Sequence, residues 1–422
     1  VTDEPTNIFP ADLPPELRDT YEVLASGTAN ILPRDGLAER LVAADQQNRP
    51  LRVKLGIDPS GAQLTLGHAV VLRKLRQFQD AGHIAVLVVG GFTGQVGDPS
   101  GRTSTRSAQS ADAVVANSRG YFEQVMRILD PARCEVVNNV DWLAPMRLGE
   151  MLGYTRQLTI AQLLERDDFS RRFKANEPIS LSEFFYPLLQ GIDSVEIRSD
   201  IELGGTDQTF NNLVGRDLQR SRGQAPQAVL TVPLLVGTDG MQKMGKSLGN
   251  FIAINAPAND QFGALMSIPD SVIGMYARLC TDLHPREVAQ LERAAVGGGA
   301  AAGQAKRRMA QAVVALYHGE PAATLAEERF DAVFGARSGA IDAREDAPVY
   351  VLPDADPVHL PAVLVASAMA DSSSAARRLI ASGAVRLDGR PVSATELDQV
   401  RATLVGVLVT VGKRKAVRLS AG

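Results

Sequence analysis

Two β-compatible runs flank one helical period near the start of the chain, and that triplet leaves few folds open. Leu51-Arg52-Val53-Lys54-Leu55-Gly56-Ile57 is the first run, and it ends in the turn residues Asp58-Pro59-Ser60-Gly61. From His68 to Gln79, apolar Val71, Leu72, Leu75 and Phe78 recur at helical spacing, and Gly82 stops the helix. Ile84-Ala85-Val86-Leu87-Val88-Val89 is then continuously apolar, as a strand buried on both faces is. Strand, helix, strand within about 40 residues is a βαβ crossover. The expected fold is therefore α/β, with a Rossmann-like parallel sheet at its centre.

The chain has 422 residues, enough for two or three domains at roughly 150 residues each. With 45% hydrophobic and 22% charged residues, the composition is that of a globular protein. Two cysteines, Cys134 and Cys280, cannot make a disulfide framework and read as structural. His83, His284, His318 and His359 are scattered without metal-ligand spacing, so no metal site is expected. No apolar run approaches the roughly 20 residues that cross a bilayer, and the start, Val1-Thr2-Asp3-Glu4-Pro5, is polar and acidic. The protein thus reads as cytoplasmic, without a membrane partner.

The net charge of −4 is unevenly spread. From Pro361 to Gly422 nine Lys and Arg face four Asp and Glu, a surplus of five, which leaves −9 on the remaining 360 residues. A basic appendage on an acidic body suggests a nucleic-acid partner. Between them, 342–360 is rich in prolines and acids and reads as an extended linker. Gly297 to Gly303 is a small-residue loop within a helix-rich region.

Four clusters carry chemistry. The helix after Asp58 begins near Leu66-Gly67-His68, where unpaired N–H groups and the positive dipole end suit a polyphosphate. Gly67 lets a flat base or sugar approach the backbone. Directly after the apolar strand comes Gly90-Gly91-Phe92-Thr93-Gly94-Gln95-Val96-Gly97-Asp98-Pro99-Ser100-Gly101-Arg102. There Asp98 is a candidate acceptor for an ammonium group, and Arg102 and Arg106 sit on a polar loop able to close over phosphates. Gly204-Gly205-Thr206-Asp207-Gln208 offers an aspartate to ribose hydroxyls. Lys243-Met244-Gly245-Lys246-Ser247 is a flexible cationic loop. Each alone also fits a surface turn.

Taken in this order, the clusters resemble the class I aminoacyl-tRNA synthetases with their HIGH and KMSKS signatures. More narrowly, the stretches Val53–Arg106, Leu181–Arg220 and Leu230–Asn250 resemble the bacterial tyrosyl-tRNA synthetases. The ending, with Ser372-Ser373-Ser374-Ala375-Ala376-Arg377-Arg378-Leu379-Ile380 and Gly383 to Gly389, resembles a small S-four-like RNA-binding module.

That resemblance implies a catalytic domain over 1–250 with a helical insertion at about 111–185, which should form the interface of a homodimer. It also implies a helical anticodon-side domain over 251–341, where Met309, Val313, Val314 and Tyr317 form a core stripe, and an α+β RNA-binding domain over 361–422. The implied reaction activates L-tyrosine with ATP, accompanied by Mg2+ and with no tightly bound cofactor, and transfers it to tRNA(Tyr). Carried over by motif, Asp98, Tyr186 and Gln190 should hold the amino group, Asp193 the phenol, and Gln208 should lie near the carboxylate. Lys54 falls where many relatives place a tyrosine against that phenol. Gly204, Asp207 and His68 should bind the ribose, and the backbone of Asp58 the α-phosphate. Ser60, Arg102, Arg106, Lys243 and Lys246 should surround the pyrophosphate. In the tail Arg377, Arg378, Arg386, Lys413, Arg414 and Lys415 should meet RNA.

Two departures bear on catalysis. Thr65 replaces the first histidine of HIGH; one transition-state donor is worth about 3–4 kcal/mol, so slower adenylation is expected. Gly191-Ile192 replaces the usual Ala-Tyr before Asp193, which suggests a pocket open to a modified tyrosine. Two other readings therefore stay open: a paralogue with altered substrate or inhibitor resistance, and a weakly catalytic RNA-binding protein on the same scaffold.

Overall fold

The computed structural model describes residue 10 and residues 13–58, 63–100, 120–334, 347–370, 372–393, 395–412 and 415–421. The chain divides into two compact units, 1–324 and 325–422.

The first unit is built on a six-stranded sheet in the order β1-β6-β5-β2-β3-β4. Its strands are β1 (Asn30–Leu32), β2 (Arg52–Ile57), β3 (Ile84–Val89), β4 (Cys134–Asn138), β5 (Ile201–Gly205) and β6 (Ala228–Val232). All neighbours run parallel except β1, which is antiparallel to β6. The apolar β3 pairs in register with β2, Leu55 opposite Leu87, and with β4 on its other side. Residues 85–89 are all buried, as the uninterrupted apolar run requires. From β2 the chain proceeds outward through β3 and β4, then returns to lay β5 and β6 on the other side. Strand order therefore reverses between β2 and β5, and the crevice at their carboxyl ends is where such sheets bind ligands.

Helices cover the sheet. α1 (Arg18–Ala25) and α2 (Gly36–Gln46) precede β2, α3 (Leu66–Asp80) crosses from β2 to β3, and α4 (Thr93–Val96) follows β3. Along α3, Leu66, Ala69, Leu72, Leu75 and Phe78 are buried on one stripe. Between β4 and β5 lie α5 (Val140–Leu143), α6 (Leu148–Thr155), α7 (Ile160–Leu164), α8 (Asp167–Lys174) and α9 (Leu181–Ile197), and α10 (Thr209–Ser221) joins β5 to β6. The segment expected as a helical insertion from about 111 to 185 thus contains a strand of the central sheet, β4, so the inserted helices begin after Asn138. Its short Cys134-Glu135-Val136-Val137 run, half exposed at the sheet edge, lacks the apolar continuity that marks β3.

The helical region continues as α11 (Ala258–Met266), α12 (Ile273–Cys280), α13 (Pro285–Gly297), α14 (Gly299–His318) and α15 (Glu320–Phe334). Met309, Val313 and Val314 are buried on α14, as their spacing suggests. α12 packs against α3, so α11 to α14 belong to the same compact unit as the sheet, whereas α15 runs across the boundary after Thr324.

The second unit holds a five-stranded sheet, order β10-β9-β12-β13-β7, and a two-stranded pair. Its strands are β7 (Val349–Val351), β8 (Val358–His359), β9 (Val385–Leu387), β10 (Arg390–Pro391), β11 (Asp398–Gln399), β12 (Leu408–Val411) and β13 (Lys415–Ser420). Helices α16 (Leu360–Ala366), α17 (Ser373–Ala381) and α18 (Arg401–Leu404) complete it. Leu360, Leu364, Ile380, Val409 and Leu419 form its core. The extended linker expected over 342–360 is corrected in its second half. β7 pairs in parallel with β13, β8 with β11, and Leu352 and Val358 enter the core.

Candidate active site

A cavity of about 500 Å³ opens at the crevice between β2 and β5. The strand ends bring Gly56, Ile57 and Asp58, then Val88 and Gly90, then Leu203, Gly204 and Gly205 to its wall, and α9 adds Tyr186, Gln190 and Asp193. Asp98, Gln208, Asp207, His68 and Lys243, expected from separate motifs, line the same space. Ser60, Arg102, Arg106, Lys413 and Arg414 lie outside the described residues.

At one end, polar groups hold one another in place. Asp98 accepts from the Ser100 backbone N–H at 2.9 Å and from Gln208 Nε2 at 2.7 Å. Tyr186 donates its hydroxyl to Asp58 Oδ2 at 2.8 Å, and Thr93 donates to Asp58 Oδ1 at 3.1 Å. The expected role of Asp58 was a backbone one; its carboxylate instead also orients Tyr186. Gly90 makes room for it, since a Cβ there would fall 1.7 Å from Asp58 Oδ1. Asn211 Nδ2 donates to the side-chain oxygens of Gln190 and Gln208, at 3.1 and 3.2 Å. Arg166, paired with Asp168 and lying over the Phe169 ring, donates to Asn211 Oδ1 at 2.8 Å.

Asp193 is buried in the cavity wall and accepts from Trp142 Nε1 at 2.9 Å and from Asn139 Nδ2 at 3.3 Å. Burial pushes its carboxyl up to about 7, against the pull of Lys54 and these two donors.

Lys54, expected against the substrate, does not line the cavity. Its side chain is fully buried, with Nζ 2.9 Å from Glu202 Oε1 and donating to Gln190 O at 2.8 Å and Ser194 Oγ at 2.7 Å. The Gly191-Ile192 pair is likewise outside the lining. A Cβ on Gly191 would meet Leu218 Cδ1 at 2.9 Å and the Gly215 nitrogen at 3.1 Å, so this glycine seats α9 on α10. Ile192 is fully buried in the apolar cluster with Leu143 and Tyr154. The expected widening of the pocket is therefore not what these residues do; they serve helix packing.

At the other end, Thr65 is the N-cap of α3. Its N–H donates to His68 Nδ1 at 3.3 Å, and its hydroxyl lies 2.8 Å from the same nitrogen. With Nδ1 an acceptor, the imidazole proton sits on Nε2, and burial followed by the Lys246 charge lowers the pKa of His68 and keeps the ring neutral. Thr65, buried and absent from the cavity lining, thus acts on His68 rather than on a ligand. Asp207 stands at the mouth, where desolvation and then the Asp98 carboxylate raise its pKa.

Lys243 and Lys246 lie on an exposed loop held from below by Asn250. Asn250 accepts from the Gly245 N–H at 2.8 Å and donates to Asp239 at 2.7 Å and to Lys243 O at 3.2 Å. Met244 Sδ meets the Gly67 N–H at 3.3 Å, so the cationic loop touches the start of α3. Lys243 reaches the cavity lining and Lys246 does not. In the second unit Arg377, Arg378, Arg386 and Lys415 are exposed.

Sequence reasoning missed Asn139, Trp142, Thr93, Arg166, Asn211 and Asn250. Asn139 carried a usable signal: it follows a strand at the carboxyl edge of the sheet, the same place that singled out Asp58 and Gly90. Assigning that segment to a helical insertion hid the signal.

Comparison with known proteins places this geometry. The family described as tRNA synthetases class I (W and Y) matches residues 46–335. A tyrosine–tRNA ligase of Desulfotalea psychrophila is 43% identical over 405 residues, 96% of this chain and 98% of the relative. One of Acidithiobacillus ferrooxidans is 44% identical over 407 residues, again 96% and 98%. Among solved structures, a tyrosyl-tRNA synthetase of Archaeoglobus fulgidus complexed with L-tyrosine aligns with a TM-score of 0.59 at 18% identity, covering 74% of this chain and 99% of that one. This last likeness concerns the fold.

Proposed function

We propose, for a chain that belongs to the tyrosine–tRNA ligases among the class I tRNA synthetases, that the cavity activates L-tyrosine with MgATP and passes it to tRNA(Tyr). The chain is accordingly an enzyme, an aminoacyl-tRNA ligase. The altered-substrate and RNA-binder readings lose their support, since Gly191 and Ile192 pack helices and Thr65 still fixes a cavity histidine.

The observation that carries the assignment is one cavity lined by Asp98, Tyr186 and Asp193 at one end and by His68, Asp207 and Lys243 at the other. Tyrosine lies with its ammonium against Asp98, Tyr186 and Gln190, its carboxylate near Gln208 and its phenol donating to Asp193. A buried acceptor for that hydroxyl disfavours phenylalanine by roughly 10⁴–10⁵. ATP places its ribose at Gly204, Asp207 and His68. The tyrosine carboxylate attacks the α-phosphorus; the bond to the bridging oxygen breaks, and pyrophosphate leaves with the electron pair. Lys243 and Lys246, with Ser60, Arg102 and Arg106, neutralise the charge that develops there. A terminal ribose hydroxyl of the tRNA then attacks the acyl carbon and AMP leaves. No side chain serves as nucleophile, so positioning and charge stabilisation do the catalysis.

The basic second unit serves the tRNA through Arg377, Arg378, Arg386 and Lys415, together with Lys413 and Arg414. The inserted helices serve a homodimer: Leu148, Leu152, Ile160, Phe173 and Leu181 are each more than half exposed within about 35 residues of one another, as a buried interface requires. Acting on tRNA(Tyr), the enzyme works in the cytoplasm; among the described residues no helix is long and apolar enough to cross a membrane.

The test is calorimetric titration with L-tyrosine and, separately, with L-phenylalanine. Asp98→Asn weakens binding of tyrosine and phenylalanine alike, whereas Asp193→Asn weakens tyrosine alone. Unchanged tyrosine affinity in both variants contradicts the assignment.

A further inference from the structure

Beneath the cavity floor lies a charged pair with no direct part in the reaction. Lys54 on β2 and Glu202 on β5 are both fully buried and 2.9 Å apart, and neither lines the cavity. Both grip the turn of α9 that carries the substrate contacts. Lys54 Nζ donates to the Gln190 carbonyl and to Ser194 Oγ, while Glu202 accepts from Ser194 Oγ at 3.0 Å and from Gln190 Nε2 at 3.1 Å. Ser194 adjoins Asp193, and Gln190 precedes it by three residues, so the pair holds the backbone on both sides of that carboxylate.

An ion pair closed off from water is costly to build and often replaceable by apolar residues without loss of stability. Its retention under a recognition carboxylate calls for a function. We propose that the Lys54–Glu202 pair is a specificity device: by gripping the α9 turn on both sides of Asp193 it aims that carboxylate and favours its ionised form, and so makes the site select a phenol over a plain phenyl ring without touching the substrate. This rests on the reading of Asp193 as the phenol acceptor.

The electrostatics agree in sign. Burial alone drives Asp193 toward the neutral acid, and of the groups that oppose it Lys54 acts most strongly, ahead of Trp142 and Asn139, while Glu202 works weakly the other way. The other titratable groups facing it are Tyr186 on its own helix and, across the cavity, Asp58, Asp98, Asp207, His68 and Lys243. With the Asp193 carboxyl pushed up to about 7, the acceptor is half formed near neutrality and fully formed above it. The phenol of free tyrosine, near 10, stays protonated throughout this range, so it remains a donor.

The experiment measures kcat/KM for tyrosine and for phenylalanine in ATP–pyrophosphate exchange between pH 6 and pH 8.5. Their ratio cancels titrations common to both substrates, including the α-amino group, and reports groups of the free enzyme. In the unmodified enzyme the ratio rises with pH through a midpoint near the Asp193 value. Lys54→Met with Glu202→Gln removes both charges together, leaves no unpaired buried ion, and moves the midpoint up, since the Lys54 effect outweighs that of Glu202. Lys54→Gln with Glu202→Gln also removes both charges but keeps hydrogen-bonding groups for Ser194 and Gln190; it moves the midpoint the same way, which keeps the test decisive if the first double variant does not fold. A purely structural role changes the size of the ratio but moves no midpoint. Unmoved midpoints in the variants that fold overturn the proposal, provided Asp193→Asn flattens the profile. If Asp193→Asn keeps a pH-dependent ratio, the phenol-acceptor reading itself has failed.

Discussion

Adding one methyl group at Gly90 tests whether the cavity is organised as described. An ideal Cβ at this position lies 1.7 Å from Asp58 Oδ1, 2.9 Å from its Cγ and 2.6 Å from Thr93 Oγ1. Ordinary contact needs roughly 3.5 Å, so the Asp58 carboxylate must withdraw by about 1.5–2 Å. It then loses the Tyr186 hydroxyl at 2.8 Å and Thr93 at 3.1 Å. A hydrogen bond to a charged group contributes about 1.5–3 kcal/mol, and the Tyr186 side chain is buried. Gly90→Ala is therefore expected to lose about 2–3 kcal/mol of transition-state stabilisation, or about 30- to 150-fold in kcat/KM for tyrosine. Overpacking should also lower the unfolding free energy by about 1–3 kcal/mol. Tyrosine-dependent pyrophosphate exchange reads the first effect and urea unfolding the second. A variant within twofold of the parent in kcat/KM, with an unchanged midpoint, refutes the reasoning.

Three further substitutions probe other contacts. Gly191→Ala pushes a methyl against Leu218 and the Gly215 backbone; it should destabilise by about 1–3 kcal/mol in urea while leaving the tyrosine-to-phenylalanine ratio unchanged. Asn250→Ala removes three bonds that hold the Lys243 loop and should lower kcat in exchange at least tenfold with little change in KM for tyrosine. Gly67→Ala meets only ordinary contacts, at 3.5 Å to Met244 and Thr65, so helix propensity should leave the fold as stable or up to about 1 kcal/mol more so. Gly67, expected at the nucleotide, does not line the cavity, and the added methyl faces Met244 and Thr65, so KM for both ATP and tyrosine should hold.

The fold was legible where a residue pattern had one physical reading. The unbroken apolar run Ile84–Val89 could only be a strand buried on both faces, and β3 sits between β2 and β4 as that demands. β4 escaped because an edge strand with alternating exposure looks like many other segments. The cavity was legible through strand ends and glycines, since Asp98, His68, Gly204, Asp207 and Lys243 do converge. Roles were less so. Lys54 and Thr65 were singled out as substrate or catalytic groups, yet each turns inward, Lys54 to Glu202 and Thr65 to His68. Alternation along a strand assigns a side chain to a face, but not to the buried partner it will find there. The same holds for Asn139, Arg166 and Asn211, whose importance lies in contacts across 45 or more residues of sequence.

The central claim is that this cavity makes an adenylate of tyrosine. ATP–pyrophosphate exchange, run with each of the twenty amino acids in turn and with none, tests it most directly. The expected result is exchange with L-tyrosine, at least 10⁴-fold weaker exchange with phenylalanine, and none without an amino acid. Exchange driven equally by phenylalanine, or by no added amino acid, contradicts the account.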